Sequence, residues 1–250
     1  MTMDSTPTAG LGSLRGYAIC TTPRSGSNYL CEFASSTGVL GRPLEYFNPS
    51  GRRALESPYY PDDPALQVEQ ILTTGRTSNG VYGLKMFPNQ LERTLPAAAI
   101  FDALPNLHFV RLIRLDVLGQ AISWARALMT GQYRGTQTAN GPATYDGPLI
   151  CRCLSEIVCA NADWDIYFAR RGIFPVRLYY EDVEKDGNAA VQAIAQLMRV
   201  DGAKPVPSRV SVAPQRDDLS ATWRRAFVAE YGAPNTFHRV SAPDIGLSGS

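Results

Sequence analysis

Residues 17–30, YAICTTPRSGSNYL, limit what this chain can fold into more than any other stretch. A short apolar run enters a loop of small residues, Thr21 to Ser27, and leaves it on a helical period that begins near Asn28. A strand, a tight loop and a helix N-terminus in that order form a ready anion site. The first-turn N–H groups have no partner within the helix, and the helix dipole favours negative charge. Gly26 lets the backbone approach a ligand closely, Arg24 adds a guanidinium suited to bidentate oxyanion binding, and Ser25 and Ser27 add hydroxyl donors. The loop lacks the first Gly and the Lys of the nucleoside-triphosphate pattern G-x-x-x-x-G-K-[ST], so the lysine and Mg²⁺ chemistry of that pattern is not supplied. Taken by itself, the segment also reads as an ordinary strand-to-helix turn whose serines only cap.

The rest of the chain continues the alternation. β-rich runs at Tyr17–Thr21, Val81–Met86, Leu107–Ile113 and Phe174–Tyr180 are separated by helical segments. This predicts an α/β fold, a single P-loop-like domain with a mostly parallel central sheet flanked by helices. Behind Asp116 as N-cap, residues 116–129 place Val117, Ala121, Ile122, Ala125 and Leu128 at helical spacing. Leu149–Arg170, Ala189–Val200 and a last segment from Ser220 to just before Gly232 also read as helices. Residues 41–65 and 130–147 show no period and are long enough to be functional loops. With no internal repeat and no linker, one domain is expected over residues 16–235, between a short polar lead (1–15) and a flexible tail (236–250).

Charge and composition narrow the class of partner. The 250 residues carry 24 basic and 23 acidic side chains, a formal net charge of +1. A broad nucleic-acid surface needs many uncompensated cations, so no nucleic-acid partner is expected. Only Lys85, Lys185 and Lys204 are lysines. The arginine excess follows from codon usage as readily as from oxyanion recognition and decides nothing as a total. No run approaches the ~20 apolar residues of a spanning helix, and the N-terminus lacks a basic and then apolar signal pattern, so a cytoplasmic protein without a membrane span is expected. Five cysteines, two histidines and no CxxC pair support neither a zinc site nor a disulfide framework. Reduced, mostly buried thiols and no metal are expected.

The loop motif T-x-P-R-S-G-S resembles the 5′-phosphosulfate loop of sulfotransferases that use 3′-phosphoadenosine 5′-phosphosulfate (PAPS). Its arginine version is similar to that of the bacterial trehalose 2-sulfotransferase family. Pro43-Leu44-Glu45-Tyr46-Phe47 matches that family's P-x-E-[FY]-F segment, and SNGVYGLKM, residues 78–86, resembles its N-G-V-W-G-x-K segment. RLDVLGQAISW, residues 114–124, resembles its 3′-phosphate segment, R-P-D-x-x-x-Q-A-x-S-[FW], and Gln215-Arg216-Asp217 followed by Trp223 resembles its C-terminal Q-R motif. Two positions depart: Leu115 stands where the family has Pro, and Gly119 stands where Ser is expected, which leaves a 3′-phosphate with one hydroxyl fewer. Residues 48–80 and 130–150 match poorly, and these are the regions where an acceptor would be selected.

The resemblance implies in-line transfer of a sulfuryl group from PAPS to a hydroxyl. Arg24, Ser25, Gly26, Ser27 and Asn28 would hold the 5′-phosphate, Arg114 and Ser123 the 3′-phosphate, with Arg216 closing over the nucleotide. Glu45 is the expected general base, with Tyr46 and Phe47 beside the substrate and raising its pKa by desolvation. Lys85 is expected to touch the sulfonate or the acceptor. Trp124, Tyr46 and Phe47 are either stacking platforms or core. His108, inside a strand run, and His238, near the C-terminus, fall in no motif. The implied acceptor is a small sugar or glycolipid, trehalose first, and a homodimer is in keeping with the family. A P-loop kinase and a catalytically inactive nucleotide-binding protein are the competing readings.

Overall fold

The strand that feeds the loop of residues 21–26 lies inside the sheet, not at its edge. The computed structural model of the protein describes residues 14–94, 101–133, 137–211 and 218–233. Its strands β1 (Arg15–Cys20), β2 (Val81–Met86), β3 (Leu107–Ile113) and β4 (Val176–Tyr179) pair in parallel in the order β2-β1-β3-β4. Along β1 the side chains alternate between two cores. Tyr17 and Ile19 pack on one face, Ala18 and Cys20 on the other. Burial on both faces explains why residues 17–20 and 81–84 read as apolar runs. β2 and β3 have the ends expected for them. β4 is shorter than the run Phe174–Tyr180, because Pro175 has no N–H for the ladder and Phe174 is 96% exposed.

On one face lie α1 (Ser27–Ser36) and α8 (Gly187–Leu197), joined to the sheet through Leu30, Val191 and Ile194. On the other lie α3 (Pro64–Thr73) and the long α6 (Gly147–Arg171), whose Trp164 and Phe168 stack at 5.6 Å. A third cluster joins α5 (Val117–Thr130), α6 and α9 (Asp218–Tyr231) through Ile122, Ile157 and Trp223. Arg111, buried in β3, ties α6 to the sheet. It donates to the Cys20 and Leu112 carbonyls and to Asn161 Oδ1, and burial pulls its pKa down to about 10.

Residues 41–65 are not aperiodic throughout. They hold α2 (Pro49–Leu55) and the start of α3, and two more short helices, α4 (Pro88–Thr94) and α7 (Tyr180–Lys185), stand elsewhere. Helices of about two turns are too short to show a period. α2, α3 and α4 each open on a proline, and Asn48 and Asp63 cap the first two through the N–H groups of Gly51 and Ala65. All five cysteines are free, and Cys20, Cys31 and Cys153 are buried. Among the described residues no helix is long and apolar enough to cross a membrane.

Candidate active site

Because β1 has β2 on one side and β3 on the other, the loop after β1 opens at the point where the chain's crossovers diverge, the usual ligand crevice of such sheets. Buried donors hold that loop from behind. Trp164 Nε1 donates to the Thr21 carbonyl at 2.8 Å, and Gln120 Nε2 donates to Thr22 Oγ1 and the Pro23 carbonyl at 2.8 and 2.6 Å. Thr21 Oγ1 donates to the Leu112 carbonyl at 2.9 Å and lies 2.6 Å from Ser25 Oγ. Ser25 is fully buried by this pairing. Its hydroxyl faces Thr21 inside the loop, against the expectation of an outward donor, and Ser25 is not among the residues lining the cleft.

Gly26 is the N-cap of α1, with φ 80°, and no side chain caps that helix. A Cβ at Gly26 would fall 2.1 Å from the Tyr180 ring, so position 26 requires glycine on conformational and on steric grounds. Arg24 also holds a left-handed φ, 60°, which costs energy in a residue with a side chain. Its Nε donates to Ser123 Oγ at 3.0 Å, and Arg114 Nη1 donates to the Arg24 carbonyl at 3.3 Å. The Arg114 guanidinium lies over the Tyr180 ring at 4.8 Å. Burial, and then the charges of Arg114 and Arg126, lower the pKa of Arg24. Crowded, partly desolvated cations of this kind are relieved by an anion.

The other half of the cleft centres on Glu45. Its Oε1 lies 2.7 Å from Lys85 Nζ, and its Oε2 accepts from Asn48 Nδ2 at 2.9 Å and from Gln90 Nε2 at 3.0 Å. Lys85 Nζ also donates to Asn28 Oδ1 at 2.6 Å, which joins this half to the first turn of α1. Burial by itself pushes the Glu45 carboxyl upward, but the Lys85 ammonium and the two amides outweigh it and bring the pKa below the usual carboxylate range. This reverses the expectation of a raised pKa. Tyr46 and Phe47, expected at the substrate, are 1% and 3% exposed and belong to the core beneath. Tyr46 spends its hydroxyl on the Arg42 carbonyl at 2.9 Å.

One cleft of about 680 Å³ is lined by Arg24, Gly26, Ser27, Asn28, Arg114 and Ser123 and also by Glu45 and Lys85. Trp124 lines it too. A narrower recess continues from Glu45 and Lys85 between α1 and α2. Arg216 and His238 lie outside the described residues, and His108 is exposed at the start of β3, the end of the strand remote from the loop. Among the described residues no group of three or more His, Cys, Asp or Glu side chains is placed to hold a metal ion. Sequence reasoning gave no role to Gln120, Asn48, Gln90 or Tyr180. Gln120 carries a signal in hindsight, a polar residue on the apolar stripe of α5, and Asn48-Pro49 is a helix-start pair.

The family model for Stf0 sulphotransferases matches residues 16–230. The chain belongs to that family. It is 29% identical over 263 residues to a trehalose 2-sulfotransferase of Mycobacterium tuberculosis, an alignment covering 89% of this chain and 98% of the relative. A trehalose 2-sulfotransferase of Mycolicibacterium smegmatis is 26% identical over 250 residues, covering 83% and 92%. The crystal structure of a sulfotransferase from Alicyclobacillus acidocaldarius shares the fold, with a TM-score of 0.50 and 14% identity over 86% of this chain and 92% of that one. The protein is therefore a sulfotransferase, which sets aside the kinase and the inactive-protein readings. Within the family's fold, the cleft collects the strand-end residues of β1, β2 and β3 at one place.

Proposed function

We propose that this sulfotransferase moves the sulfuryl group of PAPS to a hydroxyl of a small carbohydrate, with Glu45 as general base. One observation carries the reading: Arg24, Ser123 and Arg114 form a linked cationic patch, and the Glu45–Lys85 pair faces the same cleft across the uncapped N-terminus of α1. The donor set fits the nucleotide. Arg24 and the α1 N-terminus suit the 5′-phosphate, and Arg114 with Ser123 suits a second, 3′-phosphate. In the transfer an acceptor oxygen–sulfur bond forms as the bond from sulfur to the 5′-phosphate oxygen breaks, and the electron pair stays on that phosphate. Arg24 and the first-turn N–H groups absorb the growing charge, and Glu45 takes the acceptor's proton.

The depressed pKa keeps Glu45 ionised across neutral pH, at a cost in base strength. A sulfonate near Lys85 would share its ammonium and return basicity to Glu45 as transfer begins. The two mycobacterial relatives named trehalose 2-sulfotransferases support a disaccharide or glycolipid sugar as acceptor.

Calorimetry with adenosine 3′,5′-bisphosphate and with Mg-ATP tests the donor. Tight binding of the bisphosphate is expected, and binding of ATP alone overturns the reading. Radiolabelled PAPS offered with trehalose, glycolipids and simple alcohols tests the acceptor. Glu45→Gln is expected to keep bisphosphate affinity and to cut turnover by about 10²–10⁴-fold. Unchanged turnover removes Glu45 from the mechanism.

A further inference from the structure

Arg224, on α9, holds the Asp116 carboxylate by both oxygens, with Nη2 at 2.6 Å from Oδ1 and 2.5 Å from Oδ2. Asp116 also caps α5 through the Gly119 N–H at 3.0 Å, and its Oδ2 stands 3.8 Å from Arg114 Nη2. One carboxylate thus lies between two guanidinium groups, and one of these, Arg114, lines the cleft. A second carboxylate, Glu181, is close by and accepts from the N–H groups of Leu115 and Asp116 at 3.2 and 3.1 Å. Carboxylates and phosphates compete for the same guanidinium fork. If Asp116 closed on Arg114, a nucleotide phosphate would have to displace it.

Gly119 is what makes room for the alternative partner. A Cβ there would fall 2.1 Å from Asp116 Oδ2 and 2.7 Å from Arg224 Nη2. The seam between the two helices continues further along, where Arg126 Nη1 donates to Ser220 Oγ at 2.7 Å. The glycine that departs from the family pattern therefore coincides with the position of Arg224.

We propose that Arg224 is a positioning residue for the donor. It draws the Asp116 carboxylate off Arg114 and leaves that guanidinium to the 3′-phosphate of the nucleotide, and Gly119 provides the space. The proposal rests on the PAPS reading of the cleft. It makes the docking of α9 a determinant of donor affinity, although Arg224 does not itself line the cleft.

Calorimetry with adenosine 3′,5′-bisphosphate and adenosine 5′-monophosphate, which differ by the 3′-phosphate alone, tests it. Arg224→Gln is expected to weaken the bisphosphate about tenfold and the monophosphate less than about twofold, the size of a partly screened charge effect. Adding Asp116→Asn, which keeps a capping side chain, is expected to restore most of the loss because no charge is left to compete. A role of Arg224 as a mere anchor of α9 would not be rescued this way, since Asp116→Asn removes the same ion pair from its other end. Gly119→Ala, which adds a Cβ without a hydroxyl, is expected to weaken the bisphosphate by displacing Arg224. Equal weakening of both nucleotides by Arg224→Gln, or no rescue by Asp116→Asn, overturns the proposal. If Arg224→Gln does not fold, Asp116→Asn alone decides. Bisphosphate affinity at or above wild type supports the proposal, and a tenfold loss overturns it. A wild-type protein that binds the two nucleotides equally removes the PAPS reading itself.

Discussion

Replacing Lys85 with Met removes one charge from the Glu45 pair and keeps the volume of the side chain, so it isolates the electrostatics. Two unit charges 2.7 Å apart attract by about 6 kcal/mol at an effective dielectric constant of 20, before desolvation is counted. Removing one partner of a buried pair costs about 3–5 kcal/mol. The lower end, about 3 kcal/mol at pH 7, is expected here. Glu45 keeps the Asn48 and Gln90 amides, and its side chain is 21% exposed, while that of Lys85 is only 4% exposed. The pH dependence separates this loss from ordinary misfit. In the wild type the folded-state pKa of Glu45 lies below its unfolded value, so ionised Glu45 stabilises the fold above the usual glutamate range and the contribution fades as pH falls through the folded value. In Lys85→Met burial prevails, the pKa moves above the unfolded value, and protonation relieves the strain. The deficit against wild type should therefore shrink between about pH 7 and pH 4. Urea unfolding of both proteins at the two pH values measures it, and the acid limb of kcat/KM should move to higher pH in the variant. A deficit under about 1 kcal/mol that is equal at both pH values would refute the reasoning.

Gly26→Ala must hold a positive φ and push the Tyr180 ring aside, so a loss of about 2 kcal/mol or more in thermal unfolding and a marked fall in bisphosphate affinity are expected. Near-normal values in both would show that the loop relaxes freely. Gln120→Leu leaves Thr22 Oγ1 and the Pro23 carbonyl without their buried donor. A loss of about 1–3 kcal/mol in urea unfolding, with a raised KM for the donor and little change in kcat, is expected. A lowered kcat at constant KM would contradict the assignment of Gln120 to loop support.

The difference between what was legible in the sequence and what was not follows from the range of the interactions. β2 and β3 could be read to the residue because each is a short run rich in apolar, β-branched and aromatic side chains that follows a turn pair, Asn79-Gly80 before β2 and Pro105-Asn106 before β3. The strand, loop and helix of residues 15–36 could be read because they are consecutive in the chain. The state of Glu45 could not. Its chain neighbours, Tyr46 and Phe47, suggested desolvation and a raised pKa, but what sets its ionisation is Lys85 and Gln90, brought to it by β2 and α4 from 40 and 45 residues away. The same holds for Gly119. As a letter in a motif it signals one hydroxyl fewer, and only the approach of α9 shows that the missing side chain makes space for a guanidinium.

The sheet order also explains why the site divides as it does. β2 delivers Lys85 to one flank of the β1 loop, and the chain leaving β3 delivers Arg114 to the other. On the PAPS reading, groups on the β3 flank, Arg114, Ser123 and the Asp116–Arg224 pair behind them, would act on the fixed charges of the donor, which are the same for every acceptor. Groups on the β2 flank, Lys85 with Glu45 and the amides that hold it, would act on the proton and on the approaching hydroxyl, and they border the recess between α1 and α2. Asn28 is the joint, since it stands in the first turn of α1 and accepts from Lys85. An enzyme built this way can change its acceptor through α2 and the segments around it without disturbing the donor cradle. The resemblance runs the same way: residues 17–30 and 114–124 match the family's segments apart from Leu115 and Gly119, and residues 48–80 and 130–150 match poorly.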